Sequence, residues 1–265
     1  MTEPIVLCDV DARGVATLTL NRPQVNNAYN AAMLDALVAH VGRLADDPAV
    51  RIVVLCGNGR HFMAGADLGW LQAVSRLSPA ENLAASRLTG GAVRGLEQFP
   101  KPTVALVQGA CVGGGTGVVA ACDVVIAERT ASFAISEVRW GVAATVIFPA
   151  LNAAIGVRQV RRYAQTCERF DAVEARRIGL VHEVCDPGGL QAAAAPMLEG
   201  LLSAAPDALA LTKRSAMRCS GSTVSDEQFE RLIAEHAERR QSDEASEGFA
   251  SFYDKRAARW YPGAA

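Results

Sequence analysis

The chain has 265 residues, half of them hydrophobic and a fifth charged, with a net charge of −2. That profile excludes a disordered or membrane-embedded chain, and a length of this order fills one large core without disulfide staples. The cations are scattered and mostly arginine, so no electrostatic footprint for nucleic acid is present.

The N-terminal MTEPIVLCDV lacks a basic-then-apolar leader pattern, and no apolar run reaches about 20 residues, so a cytoplasmic location and no membrane partner are expected. The seven cysteines are odd in number and most sit in apolar strings such as VVLCG and AACDVVIA, as buried free thiols of a reducing compartment would. Residues 4–10 and 14–20 flank Asp11-Ala12-Arg13-Gly14 and predict a β-hairpin. Asn30 is placed to cap a helix over 31–46, with Met33, Leu34, Leu37, Val38, Val41 and Leu44 at helical spacing. Apolar strands follow at 51–57 and 103–109, separated by a polar helical stretch at 67–99. After a glycine turn at 113–115 and a short helix come strands at 123–127 and 132–135. Continuous apolar strands alternating with helices predict an α/β fold with strands buried on both faces. Helical patterns dominate from about 156, at 157–166, 172–179, 189–204, 208–217 and 225–241. The expected division is a core at 1–195 and a helical region for assembly at 196–265.

Three motifs carry chemistry. His61-Phe62-Met63-Ala64-Gly65-Ala66-Asp67-Leu68 follows a buried strand and opens a helix, and its small residues let a ligand approach the main chain. On its own it reads equally as a tight strand-to-helix turn. Its counterpart, Cys111-Val112-Gly113-Gly114-Gly115-Thr116-Gly117, has the same construction. No Gly-Lys-Ser/Thr follows and the glycine spacing is not that of a dinucleotide fingerprint, so phosphate cradling is disfavoured. Two such turns are able to aim two N–H groups at one oxygen, each donor contributing about 3 kcal/mol to a developing oxyanion in a dry site. The third motif is Ser136-Glu137-Val138-Arg139-Trp140-Gly141, in which Glu137 at a strand end is either a desolvated general acid-base or an ordinary partner of Arg139. No His and Cys share ligand spacing, so no metal is expected.

Taken together, LTLNRPQVNNAYNAAML, FMAGADL, KPTVALVQGACVGGGTGVVAACD, SFAISEVRWG, EARRIGLVHEVC and EGFASFYDKRAARW resemble the crotonase family, also called the enoyl-CoA hydratase/isomerase family. The resemblance runs nearly end to end. It implies a ββα spiral core with a C-terminal helical trimerisation region, assembled as a homotrimer or dimer of trimers, acting on an acyl-CoA thioester with no separate cofactor. By position it implies that Ala66 and Gly114 supply oxyanion N–H groups, that Ala64 lies by the adenine, and that Gly65, Asp67, Leu68, Gly113 and Gly117 line the site.

The family's hydratases use two glutamates. This chain keeps Glu137 and has Gly117 at the other position. The resemblance therefore leaves open a hydratase relying on Glu137 and other groups, or a Δ3,Δ2-enoyl-CoA isomerase with a single base. The segment from SEVRWG to LVHEV looks most like bacterial methylglutaconyl-CoA and isohexenylglutaconyl-CoA hydratases, of leucine or acyclic terpene catabolism, which favours hydration of a branched, carboxylate-bearing enoyl-CoA.

Arg139 is a candidate for that carboxylate, and Trp140 and Phe148 either line the acyl pocket or belong to the core. Arg22 and Lys255, with Lys213 and Arg256, are candidates for the CoA phosphates or are surface residues. Thr145 stands where a dehalogenase of the family has its nucleophile. Of two non-catalytic alternatives, RNA binding lacks the lysine-rich helix it needs, since 31–46 contains no lysine, and a scaffold that has lost an acid at Gly117 is opposed by the retained Glu137 and both glycine turns.

Overall fold

The computed structural model describes residues 3–219 and 243–262; the helix expected over 225–241 lies outside the described residues. The chain opens with the antiparallel hairpin β1 (Val6–Val10) and β2 (Val15–Leu20). Helix α1 (Ala31–Asp46) is capped by Asn30, whose side chain accepts from the Met33 N–H. Its far end is closed by Lys101, whose Nζ donates to the carbonyls of Leu44 and Asp47. Val38 is 40% exposed, so the buried stripe of α1 is Met33, Leu34, Leu37, Val41 and Leu44.

Strand β3 (Ile52–Gly57) lies parallel to β2, and the polar stretch after it forms α2 (Leu68–Val74) and α3 (Pro79–Glu97). Then follow β4 (Thr103–Val107), a three-residue β5 (Ala110–Val112), α4 (Gly114–Ala120), β6 (Val124–Glu128) and β7 (Ser132–Ala134). Helix α5 (Phe148–Thr166), β8 (Phe170–Asp171), α6 (Ala172–Ile178), β9 (Glu183–Cys185), α7 (Leu190–Ser203) and α8 (Pro206–Arg218) complete this part, and a last helix spans Asp243–Asp254. The main sheet has the order β1-β2-β3-β4-β6-β9, parallel from β2 onward; β5, β7 and β8 form a second, small sheet.

The unbroken apolar strands are explained by cover on both faces. Leu18, Leu20, Val53, Leu55, Ala105 and Val107 face a core shared with α1 and α3. Ile52, Val54, Val104, Leu106 and Ile126 face Ala194, Leu198 and Leu202 of α7. Helix α7 therefore runs through the expected division at 195/196. The boundary needs correction, because the back of the sheet requires this helix as its lid. Arg51 ties the following segment down, donating to the carbonyls of Leu202, Ala204 and Trp260.

Cys111, Cys122 and Cys167 are buried and Cys8, Cys56, Cys185 and Cys219 half-buried, all as free thiols. No helix among the described residues is long and apolar enough to cross a membrane.

Candidate active site

The carboxyl ends of β3 and β4 lead into two loops that run side by side. The Phe62 N–H donates to Gln108 O at 2.9 Å, Met63 N–H to Ala110 O at 3.1 Å, and Val112 N–H to Met63 O at 2.9 Å. Gly65 lies against this seam with φ +87°, and a Cβ there would stand 3.0 Å from the Val112 carbonyl oxygen. The position requires glycine for both conformation and space.

A third segment lies along the first loop. Asn27, fully buried, accepts from the Arg22 N–H through Oδ1 and donates through Nδ2 to the carbonyls of Asn58 and His61. Ala64 N–H donates to Asn26 O, Tyr29 N–H to Gly65 O, and Asp67 N–H to Tyr29 O. In this parallel pairing the Ala66 N–H is turned away from the partner segment. It has no acceptor among the described residues, and neither does the Gly114 N–H at the first position of α4.

The Glu137 carboxylate closes the site. Gly113, with φ +54°, donates its N–H to Ala134 O, and a Cβ on it would come within 2.8 Å of Glu137 Oε1. Glu137 Oε2 is buried and has no hydrogen-bond partner among the described residues. Burial pushes the Glu137 pKa up, while the N–H groups of Glu137 itself and Ser136 oppose the rise. The expected strand end is instead the first residue of a 3-10 helix, Glu137–Trp140, separated from β7 by Ile135 and Ser136.

Of the predicted residues, Ala64, Gly65, Ala66, Gly113, Gly114 and Glu137 come together. Gly117 lies one helical turn further in, and a Cβ on it would be 2.4 Å from Ile147 Cγ2, so an isoleucine fills the space that any side chain at 117 would need. Asp67 caps α2, accepting from the N–H groups of Gly69 and Trp70, and pairs with Arg22 at 3.2 Å. Asp67→Ala should therefore cost about 1 kcal/mol, up to about 2 with the pair included, read as a lower urea midpoint at unchanged m-value.

Several expectations need correction. Arg139 does not pair with Glu137; one of its guanidinium N–H groups is taken by Cys167 O at 3.0 Å, because the helical turn carries it away from the carboxylate. Trp140 is 61% exposed and Leu68 51%, whereas Phe148 packs against the main core. Arg22 is engaged by Ala28 O and Asp67, and Arg256 by Glu247. Lys213 binds Asp123 at 2.7 Å, at the end of the parallel strands opposite the glycine turns. Lys255 stays an exposed cation just past the last helix, with φ +53°.

Two contributors, Tyr29 and Ile147, carry no sequence signal. Each is recognisable only because it occupies the space above a glycine. Nearby, a groove of about 600 Å³ runs between α3 and the start of α5, lined by Leu83, Val146 and Pro149 with Arg87 and Arg94.

A profile of the family described as enoyl-CoA hydratase/isomerase matches residues 11–262. The short-chain-enoyl-CoA hydratase of Clostridium acetobutylicum is 33% identical over 208 residues, 77% of this chain and 78% of that protein. Mevalonyl-coenzyme A hydratase sidH of Aspergillus fumigatus is 29% identical over 261 residues, 94% of this chain and 92% of that protein. The crystal structure of an enoyl-CoA hydratase from Shewanella pealeana superposes with a TM-score of 0.93 at 33% identity, covering 97% of this chain and 96% of that one.

Proposed function

The chain belongs to the enoyl-CoA hydratase/isomerase family, and from that premise we propose that it adds water across the double bond of a branched, carboxylate-bearing enoyl-CoA. The observation that carries this reading is the pair of N–H groups of Ala66 and Gly114, both without an acceptor among the described residues, beside the half-buried Glu137, whose Oε2 is shielded from solvent. The thioester oxygen accepts from both N–H groups. Water oxygen bonds to Cβ while Glu137 takes its proton, the π pair moves toward the thioester, and negative charge collects on the oxygen that the two donors stabilise by about 3 kcal/mol each. Collapse of this enolate takes a proton at Cα from Glu137, so one water is added and the carboxylate is restored. No cofactor enters these steps.

Gly65 and Gly113 keep the site open to the thioester, Ala64 lies by the adenine, and Lys255 remains the available cation of the four proposed for the CoA phosphates. The branched acyl end is assigned to the groove beside Ile147, where Leu83, Val146 and Pro149 supply apolar wall, and Arg87 and Arg94, against the single acid Glu97, leave positive charge for a terminal carboxylate. The Aspergillus relative is named for mevalonyl-coenzyme A, whose acyl chain is branched, and this supports the branch; the carboxylate rests on the arginines of the groove. Assembly as a trimer or dimer of trimers is inferred from the family, supported by α8, which buries no residue of its own; light scattering after gel filtration tests it.

The test of the reaction is incubation with 3-methylglutaconyl-CoA and with a longer isoprenoid-tailed glutaconyl-CoA, followed by mass spectrometry. A mass gain of one water on either supports hydration. The filled position at Gly117 favours a second reading, double-bond migration by Glu137 alone, and that reading gains if isomerised product forms with no change of mass on both substrates.

A further inference from the structure

Tyr29 stands at the centre of the site. Its N–H and C=O bond to Gly65 and Asp67 on either side of Ala66. Its ring lies over Gly114, where a Cβ would be 2.6 Å from Cε1 and 2.8 Å from the hydroxyl oxygen. Edge-on packing with Trp70, at 5.8 Å between centroids, fixes the ring, and the residue is 8% exposed. No hydrogen bond to a described residue takes the hydroxyl. The Tyr29 hydroxyl and the Glu137 carboxylate therefore converge on successive residues, Gly114 and Gly113, of one turn, and Ile147 closes the position from which the family's other acid would reach.

We propose that the Tyr29 hydroxyl is the second polar group on the reacting water, donating to it while Glu137 accepts its proton. Water has two lone pairs: one forms the bond to Cβ, and the other accepts from Tyr29. In the reverse direction the same O–H supports the departing hydroxyl. Burial and the neighbouring Glu137 charge raise the phenol pKa, so Tyr29 stays a neutral donor across the working range. Glu137 is the charged group whose field reaches it. This assignment rests on the hydration reading above, and its test separates the two.

Tyr29→Phe keeps the ring and removes the donor. Hydration of 3-methylglutaconyl-CoA, with crotonyl-CoA as the straight-chain comparison, should fall about 10–100-fold in kcat at nearly constant KM. Deuterium exchange at Cα of butyryl-CoA in D₂O needs the two N–H groups and Glu137 but no attacking water, and should stay near the wild-type rate. Parallel loss of exchange and hydration, or unchanged hydration, overturns the proposal while leaving the hydration reading intact. A wild-type enzyme that adds water to neither enoyl-CoA overturns both. Should Tyr29→Phe melt below the assay temperature, difluorotyrosine at position 29 preserves the shape and lowers the phenol pKa. It should then add an alkaline fall in hydration that the wild type lacks, and absence of that fall also overturns the proposal.

Discussion

Replacing Glu137 by Gln is expected to lower kcat for hydration by about 10²–10⁴-fold, the usual contribution of a positioned acid-base group, while a CoA ester still binds. The amide keeps the shape of the carboxylate above Gly113 and loses its basicity. Turnover within a few-fold of wild type would remove Glu137 from the chemistry.

The same variant should melt higher than wild type at neutral pH. Burial raises the Glu137 pKa above its unfolded value, so the folded state binds the proton more tightly. Stability tied to this group is present below the unfolded pKa and is lost as pH rises through the folded one. The gain from Gln, on the order of 1–3 kcal/mol for a buried unpartnered oxygen, should shrink as the pH is lowered toward the ordinary carboxylate range. Thermal melts of both proteins across that interval check the sign.

Gly117→Glu is the second large effect, and it falls on the fold. A Cβ at 117 would lie 2.4 Å from Ile147 Cγ2 and 2.5 Å from its Cβ, both far inside contact distance. Overpacking of this kind costs about 1–3 kcal/mol, and an unpartnered buried carboxylate about as much again. Gly117→Glu/Ile147→Ala should recover part of the loss, since Cγ2 and Cδ1 are gone while the Cβ, 2.5 Å away, stays and has to shift. If single and double variants melt together, Ile147 is not what closes the position.

The scaffold was legible because its signals are local. Apolar runs such as TVALV and DVVIA announce strands covered on both sides, and Asn30 before an apolar stripe announces α1. What escaped the sequence depends on contacts between distant segments. Strand β5, only Ala-Cys-Val, merges with the glycine turn and exists through its pairing with β7. The Glu137 segment follows an apolar strand and looks like its continuation, yet the chain coils into a 3-10 helix that sends Arg139 to the Cys167 carbonyl. The division at 195/196 cuts a helix that the pattern at 189–204 already shows; what the pattern does not show is that this helix covers the sheet, with Ala194 fully buried against it. At the site, the donors were readable from glycine and alanine patterns. Tyr29 and Ile147 were not, because nothing in a linear reading says which side chain will lean over which glycine.

The contact between Gly117 and Ile147 also bears on how the chain could change over generations. A change to two acids cannot proceed by one tolerated replacement. Glutamate arriving first meets the isoleucine, and trimming the isoleucine first leaves a cavity costing about 2–5 kcal/mol, a large fraction of the stability of an ordinary domain. Each path has its unfavourable step in the intermediate, so the single-acid arrangement is easier to keep than to leave, whatever the selective value of the alternative.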